Sequence, residues 1–177
     1  MVLLFVDLSN IFPENLTIYQ MLKDITPVLA FIACAVYYVF ISRNTIKTRK
    51  AQLFMNLYSQ FRAWDFMKPW SEIFFEWQWE DFDDYLERYG PENNTDAFAK
   101  YCSIAAYFEG IGVLVKQRLI DVDVVDELMA IPAIWMWDKM EEITMGFRTR
   151  FDAPELWEWW EYLYHKLKDR QSNTKLR

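Results

Sequence analysis

A run of 18 residues without a charged side chain, Ile25 to Ser42, constrains this chain more than any other feature. At a rise of about 1.5 Å per residue, a helix of that length spans about 27 Å, close to the bilayer's hydrocarbon thickness of about 30 Å. A buried helix of a soluble protein usually has a polar face, and the first 17 positions lack one apart from Thr26. The run therefore predicts a transmembrane helix, which we assign to residues 18–42.

The flanking charges predict the orientation of this helix. Residues 1–22 contain only Asp7 and Glu14 as charged side chains, so the basic n-region of a secretory signal peptide is missing. Residues 43–50, by contrast, contain four bases and no acid: Arg43, Lys47, Arg49 and Lys50. By the positive-inside rule we expect a single-pass protein of the cell membrane. Residues 1–17 would lie outside the cell and residues 43–170 in the cytosol.

The predicted cytosolic part is acidic, with 14 Lys and Arg against 23 Asp and Glu over residues 51–177. An acidic surface repels a phosphate backbone, so nucleic acid is disfavoured as a partner. The chain has only Gly 4 and Pro 6, which argues against disorder and against a turn-rich all-β fold. Cys34 and Cys102 fall in different regions, so neither a disulfide framework nor a thiolate zinc site is predicted.

Apolar residues recur at helical spacing almost throughout the cytosolic part. The first stretch, Thr45 to Trp64, is predicted to continue the membrane helix because no Gly or Pro separates the two. The predicted fold is all-α, with about five antiparallel helices in the cytosol and a frayed tail over residues 171–177.

Breakers and caps predict where the helices begin and end. Gly90-Pro91 is a stop signal, and Pro132 is expected to interrupt one helix and open another. Asp123 with Asp126, and Asp152 with Glu155, have the spacing of N-terminal capping pairs. Gly112, inside a helical pattern, is expected to leave room for a closely packed neighbour.

The segment from Tyr107 to Leu128 reads Phe-Glu-Gly-Ile-Gly and then a turn of apolar, basic and Asp residues. With Trp137 and Glu158-Trp-Trp160, it resembles an uncharacterised prokaryotic family of small membrane-anchored helical proteins, whose corresponding helix reads FFE-x-[IL]-G. The resemblance covers residues 25–170 and implies one span, a basic juxtamembrane turn and a helical cytosolic domain. It implies no activity and no catalytic residue. Gly110 departs from the family, where an acid or an apolar residue is common.

Residues that carry chemistry are few. His165 is the only histidine, so transition-metal sites and His-dependent catalysis lack partners. An acidic cluster could hold a divalent cation through oxygen ligands, although a solvated face explains it more simply because no ligand loop with glycine is present; its members are Asp81, Asp83, Asp84 and Glu87. We therefore predict no catalytic residue, no metal and no cofactor.

Glu109 stands apart because it lies near the predicted core side of its helix. A partly buried carboxylate needs a partner. We predict an ion pair with one of three arginines, Arg62, Arg118 or Arg148, and retain a functional carboxylate as the alternative.

Nine tryptophans are the main compositional oddity. Trp157, Trp159 and Trp160 cover two faces of one helix, so they cannot all enter a single buried seam. Exposed aromatic side chains mark interfaces more often than catalytic sites. These three residues are the predicted interface.

Two functions from different classes follow. The first is a membrane-anchored interaction or scaffold module that self-associates or joins a larger membrane assembly. The second is a small membrane-bound enzyme that uses carboxylates, near Glu109 or Asp81, with a divalent cation. The aromatic surplus and the absence of catalytic sets favour the first. Its expected partners are the lipid bilayer and a second copy or another membrane protein.

Overall fold

A computed structural model describes residues 16–174, so the predicted outer segment 1–17 lies almost entirely outside the described residues. The described part is helical and contains no strand, which confirms the all-α class. The elements are α1 (Leu16–Phe61), α2 (Trp64–Ser71), a π-helix (Glu72–Glu76), α3 (Phe82–Tyr89), α4 (Thr95–Lys116), α5 (Val122–Arg150) and α6 (Glu158–Thr174). The last helix continues three residues beyond position 171, where the frayed tail was predicted to begin.

The chain divides into two compact units, residues 1–49 and residues 50–177, and the division falls inside α1. From Leu22 to Ile46 the large apolar side chains of the first unit are exposed, with Phe31 75% and Tyr38 74% exposed. The segment is long and apolar enough to be either a membrane span or a signal sequence.

The second unit packs five helices, α2 to α6, together with the end of α1 around one apolar core. Aromatic rings dominate the centre: Phe108, Trp137, Phe147 and Trp160 are all fully buried. Helix α4 is also long and apolar enough to cross a membrane. Its residues Ile104, Phe108 and Ile111 are buried in this core, so α4 is its central helix.

Pro132 does not divide α5, contrary to the sequence prediction. The helix runs unbroken from Val122 to Arg150. A proline in a helix removes the hydrogen bond to the carbonyl four residues earlier, here that of Leu128. Leu128 lies on the exposed side of α5, where water can solvate that carbonyl, while Met129 and Ala133 anchor the helix in the core.

Two predicted caps lie in different places. Helix α5 is capped by Asp121, whose carboxylate accepts the N–H of Asp123 at 3.2 Å, so the cap falls two residues before the predicted one. Helix α6 begins at Glu158 and not near Asp152. Trp157, with φ 59°, adopts the left-handed region and separates the preceding turn from the helix.

Helices α4 and α6 approach closely at Gly112, as the sequence predicts. A Cβ atom at this position would collide with the backbone carbonyl of Trp159. The missing side chain therefore brings the first turn of α6 directly onto α4. A Cβ atom at Gly110, two residues away, would meet only open space.

Candidate functional site

The three tryptophans of the predicted interface have different environments. Trp160 has no exposed surface; its ring stacks on Phe108 at 5.6 Å and meets Trp137 edge-on at 5.0 Å. Trp160 is therefore a core residue and is not available to a partner. Trp157 and Trp159 are half-buried. The ammonium of Lys116 covers Trp159, 5.5 Å from the ring centre.

Glu109 caps α6 from outside that helix. Its carboxylate Oε2 accepts the backbone N–H of Trp160 at 2.8 Å. The first N–H groups of a helix have no acceptor within it and favour a negative charge. Burial raises the pKa of Glu109, and the N–H groups of Trp160 and Trp159 oppose that rise. The contact of this carboxylate is thus a helix terminus and not the predicted arginine.

Arg148, one of the three arginines expected to pair with Glu109, pairs with Glu161 at 2.8 Å. Its Nε also donates to the carbonyl of Leu156 at 2.9 Å. The arginine therefore joins the end of α5 to the turn before α6. The positive charge of Arg148 lowers the pKa of Glu109, but this effect is smaller than those of burial and of the backbone N–H groups.

The acidic cluster serves helix α3. Asp81 accepts the N–H of Asp84 at 2.9 Å, and Asp84 accepts the N–H of Glu80 at 2.9 Å. The Glu80 N–H and the charge of Arg88 hold the pKa of Asp84 below its ordinary value. These contacts form a local cap. Among residues 16–174 no group of three His, Cys, Asp or Glu side chains could hold a metal ion.

The predicted basic residues, Arg43, Lys47, Arg49 and Lys50, are all exposed. The first three belong to the unit of residues 1–49, and Lys50 begins the second unit. Lys50 has a defined contact there, because its Nζ donates to the carbonyl of Arg118.

An exposed aromatic surface lies on the second unit, away from the predicted tryptophans. Phe75 is 66% exposed and Trp135 is 47% exposed. Between them Phe74 stacks on Trp135, with ring centres 5.5 Å apart and planes at 14°, and on Trp70 at 5.1 Å. The rings form a column that begins in the core at Trp70 and ends at the surface. A shallow groove of about 520 Å³ lies against Phe74, Phe75 and Trp135.

The π-helix presents these rings. Its wider turn is closed by the N–H of Trp77, which donates to the carbonyl of Glu72 at 3.1 Å. Such turns are rare and occur often at functional sites. The Glu72 carboxylate, at 2.7 Å from the ammonium of Lys100, holds the turn against α4. Phe74 and Phe75 are the middle residues of this turn.

Lys139 fixes the other side of the π-helix. Its ammonium donates to the carbonyls of Phe74 at 2.7 Å and Trp77 at 2.9 Å, and lies 5.2 Å from the ring centre of Trp79. Burial lowers the pKa of Lys139. The side chain thus acts as a helix C-cap, and together with Asp138 it also lines the groove.

The aromatic surface continues along α5. Leu128, Ile131 and Trp135 are exposed and follow one another at spacings of three and four residues, which places them on one side of the helix. Together with Phe74 and Phe75 they form what we call the docking face. Sequence reasoning missed it, although the spacing of the three α5 residues was a usable signal.

The rim of the docking face is negative. Glu76, Glu127 and Glu142 are exposed, and none forms an ion pair within the part of the chain that the structure describes. Glu76 follows Phe75 directly, and Glu142 lies two helical turns after Trp135. The face therefore combines an apolar centre with unpaired acids at its edge.

Comparisons with known proteins identify a family and no individual relative. No curated protein and no solved structure matches the chain. The family model described as Domain of unknown function (DUF4760) matches residues 26–167, a range that includes the apolar half of α1 and the whole docking face. The expectation of an uncharacterised family is thereby confirmed, and the chain belongs to the DUF4760 family.

Proposed function

We propose that the protein is a membrane-anchored interaction module that binds a basic amphipathic helix of another protein through its docking face. The observation that carries this proposal is the apolar face of exposed Leu128, Ile131, Trp135 and Phe75 around half-buried Phe74, bounded by unpaired acids. Contiguous exposed apolar surface is costly in water and is typical of binding surfaces.

The anchor in this proposal is the apolar part of α1. Residues 25–42 contain no charge, and their large side chains are exposed in the described chain. A lipid bilayer is a solvent that would remove the cost of that exposure, and the helix has the required length. Arg43, Lys47 and Arg49 follow at once, which supports a cytosolic position for residues 43–170.

The spacing along α5 supports a helix as the occupant. Exposed apolar residues at i, i+3 and i+7, here Leu128, Ile131 and Trp135, form the kind of stripe against which a second helix packs. Pro132 lies within this stripe and leaves the carbonyl of Leu128 without its helical donor. A basic side chain of the partner could donate to that carbonyl.

The charge of the rim distinguishes between occupants. A two-fold pair of identical copies would bring the same acidic rim against itself, which opposes self-association through this face. An anionic membrane surface would be repelled for the same reason. A helix with Lys or Arg beside its apolar stripe would satisfy both features of the face. Of the two assemblies expected from the sequence, this favours another protein over a second copy.

Site-specific photo-crosslinking in native membranes tests the proposal. A benzophenone amino acid at position 135 of the full chain should crosslink to a partner, and mass spectrometry should locate the adduct in a basic amphipathic helix. The same probe at Phe151, an exposed aromatic residue just after the end of α5 and about 24 Å from position 135, is the matched control and should give no such adduct. Trp135→Ala in the unlabelled protein should weaken recovery of that partner by roughly thirtyfold.

The other outcomes overturn the proposal. An adduct with lipid would make the face a membrane contact, and an adduct with residues 128–135 of a second copy would make it a self-association surface. Equal crosslinking from positions 135 and 151 would remove the docking face as a specific site.

A further inference from the structure

A second pocket lies where α4 ends and α5 begins. It has a volume of about 400 Å³, which is within the range of small-ligand sites. Val115 and Ile120 form its apolar floor, and Tyr162 of α6 forms a wall. All of its residues belong to the unit of residues 50–177.

The pocket reverses the charge of the domain around it. Three cations line it, Lys50, Arg118 and Lys166, against one acid, Asp121. That acid is already engaged as the cap of α5, where it accepts the N–H of Asp123. In an acidic domain, a concentration of cations in one concave site is a strong local signal.

These cations have no acidic partner. Lys50, Arg118 and Lys166 form no ion pair in the portion of the chain covered by the structure. Arg170, Arg148 and Lys168, elsewhere on α5 and α6, each pair with a carboxylate. Other cations of these helices thus form salt bridges, whereas the three pocket cations do not.

Two of the three cations have a defined contact, Lys50 with the carbonyl of Arg118 and Lys166 with the ring of Tyr162. Arg118 has φ 58°, a left-handed conformation that reverses the chain after α4. The ammonium of Lys50 donates to the Arg118 carbonyl and offsets the negative end of α4. Lys116 and Lys166 approach the ring of Tyr162 within 5.0 Å and 5.8 Å of its centre. Three cations therefore line the cavity, and Lys116 adds a further positive charge at the ring of Tyr162.

We propose that this pocket binds a phosphate monoester group. Ammonium groups bind the tetrahedral phosphate as point charges, and the planar guanidinium of Arg118 can donate to two of its oxygens at once. The site is a concave pocket and not an extended groove, which suits a single headgroup and not a nucleic-acid backbone. The group can belong to a phospholipid or to a soluble phosphate ester.

The short chain segment between the proposed span and the pocket is compatible with a phospholipid as the source of the phosphate group. Lys50 follows Ser42, the end of the proposed span, by eight positions, so their Cα atoms lie no more than about 28 Å apart. A lipid headgroup at the cytosolic surface lies within the reach of such a tether. This inference concerns a different surface from the docking face, and either can fail without the other.

Native mass spectrometry of the full chain in neutral detergent provides the test. We expect phosphatidic acid, a phosphomonoester lipid, to bind in preference to phosphatidylcholine. Arg118→Gln combined with Lys166→Gln should weaken that binding at least tenfold, since each removes a charged hydrogen-bond donor. Arg118→Lys, which keeps the charge, should retain part of the affinity. Far-UV circular dichroism establishes that each variant is folded. If the double variant is unfolded, Lys166→Gln alone replaces it in the binding test, because Lys166 lies on the exposed side of α6.

Matched controls separate the pocket from general positive charge. Arg62→Gln and Lys47→Gln each remove an exposed cation that does not line the pocket, and both should bind phosphatidic acid as the unaltered chain does. Equal loss in Lys47→Gln would assign binding to the juxtamembrane residues and overturn the pocket. Binding unchanged in the double variant, or no preference for the phosphomonoester, would overturn it as well.

Competition identifies the source. If glycerol phosphate displaces phosphatidic acid at a similar concentration, the pocket recognises a soluble phosphate ester. If it does not, while the double variant still loses the lipid, the acyl chains contribute and the ligand is a membrane lipid. Either result supports a phosphate site.

Discussion

Two tryptophan-rich segments of this protein differ in whether their rings are buried in the core or reach the surface. Around α6, Trp160 enters the core because Gly112 lets α4 approach and Glu109 caps the helix at that point. Around α5, Trp137 is buried but Trp135, two residues earlier, reaches the surface, where it stacks on Phe74. Composition is therefore a poor guide to which aromatic residues bind partners. The decisive feature is whether a neighbouring helix covers the ring.

The largest expected contrast is between alanine substitutions at these two rings. Trp160→Ala should lower the free energy of unfolding by about 3–5 kcal/mol, because it leaves a cavity among Phe108, Trp137 and its neighbours. Trp135→Ala should cost about 1 kcal/mol or less, since the ring is half exposed. Denaturation of the full chain in neutral detergent, followed by far-UV circular dichroism, measures both. Equal losses would erase the distinction between core and docking face.

Glycine substitutions in α4 test whether the close approach of α4 and α6 accounts for the burial of Trp160. Gly112→Ala should destabilise the protein by about 1–3 kcal/mol, because the added methyl group collides with the carbonyl of Trp159. Gly110→Ala is the matched control, in the same helix and with open space around it. The control should stabilise by up to about 1 kcal/mol through helix propensity. Melting temperatures that shift in the same direction for both variants would contradict the close approach.

Lys139 provides a test of how the docking face is built. Lys139→Met removes both donors to the carbonyls of Phe74 and Trp77, but it also removes the cost of burying an ammonium. These opposing effects leave a net loss of about 1 kcal/mol. The effect specific to this contact is faster hydrogen exchange at the amide of Trp77, because the hydrogen bond of that amide to the Glu72 carbonyl closes the π-helix. Lys168→Met, which removes an exposed ion pair with Asp138, should leave that exchange unchanged.

The smallest expected effect is a pH dependence at Glu109. Burial raises its folded pKa, so the folded chain holds this proton more tightly than the unfolded chain does. The contribution of Glu109 to stability therefore falls as pH rises from about 4, near the unfolded pKa, through the raised folded value, and is constant above it. Glu109→Gln keeps an oxygen for the Trp160 N–H and lacks this titration. Its melting temperature relative to the unaltered protein should rise over that interval; a flat difference would show that the folded pKa is not raised.

Features that depend on local patterns were predictable from the sequence. The helical class, the long apolar first helix and the close packing at Gly112 follow from periodicity and from a glycine in a helical stripe. The start of α6 was not predictable, because its cap is Glu109, about 50 residues away, and because Trp157 adopts a left-handed conformation. The cap of α5 was displaced by two residues because Asp121 competes with Asp123 for the same role.

The docking face was missed because its two halves are distant in sequence. Phe74 and Trp135 lie 61 residues apart and meet only in the folded domain. One signal was nevertheless present, since α5 has two apolar stripes: Met129, Met136 and Met140 face the core, and Leu128, Ile131 and Trp135 face outward. A helix at the edge of one core needs a single stripe. The second stripe is the part of α5 that we propose binds a partner.

The unbroken course of α5 through Pro132 has a consequence for avidity. The phosphate pocket begins at the first turn of this helix, and Trp135 follows 13 residues after Val122, which is about 20 Å along a straight helix. One continuous helix thus separates the two proposed sites, which differ in chemistry. A lipid in one and a protein helix on the other would be held at a defined distance, so binding at either raises the effective concentration for a partner that engages both.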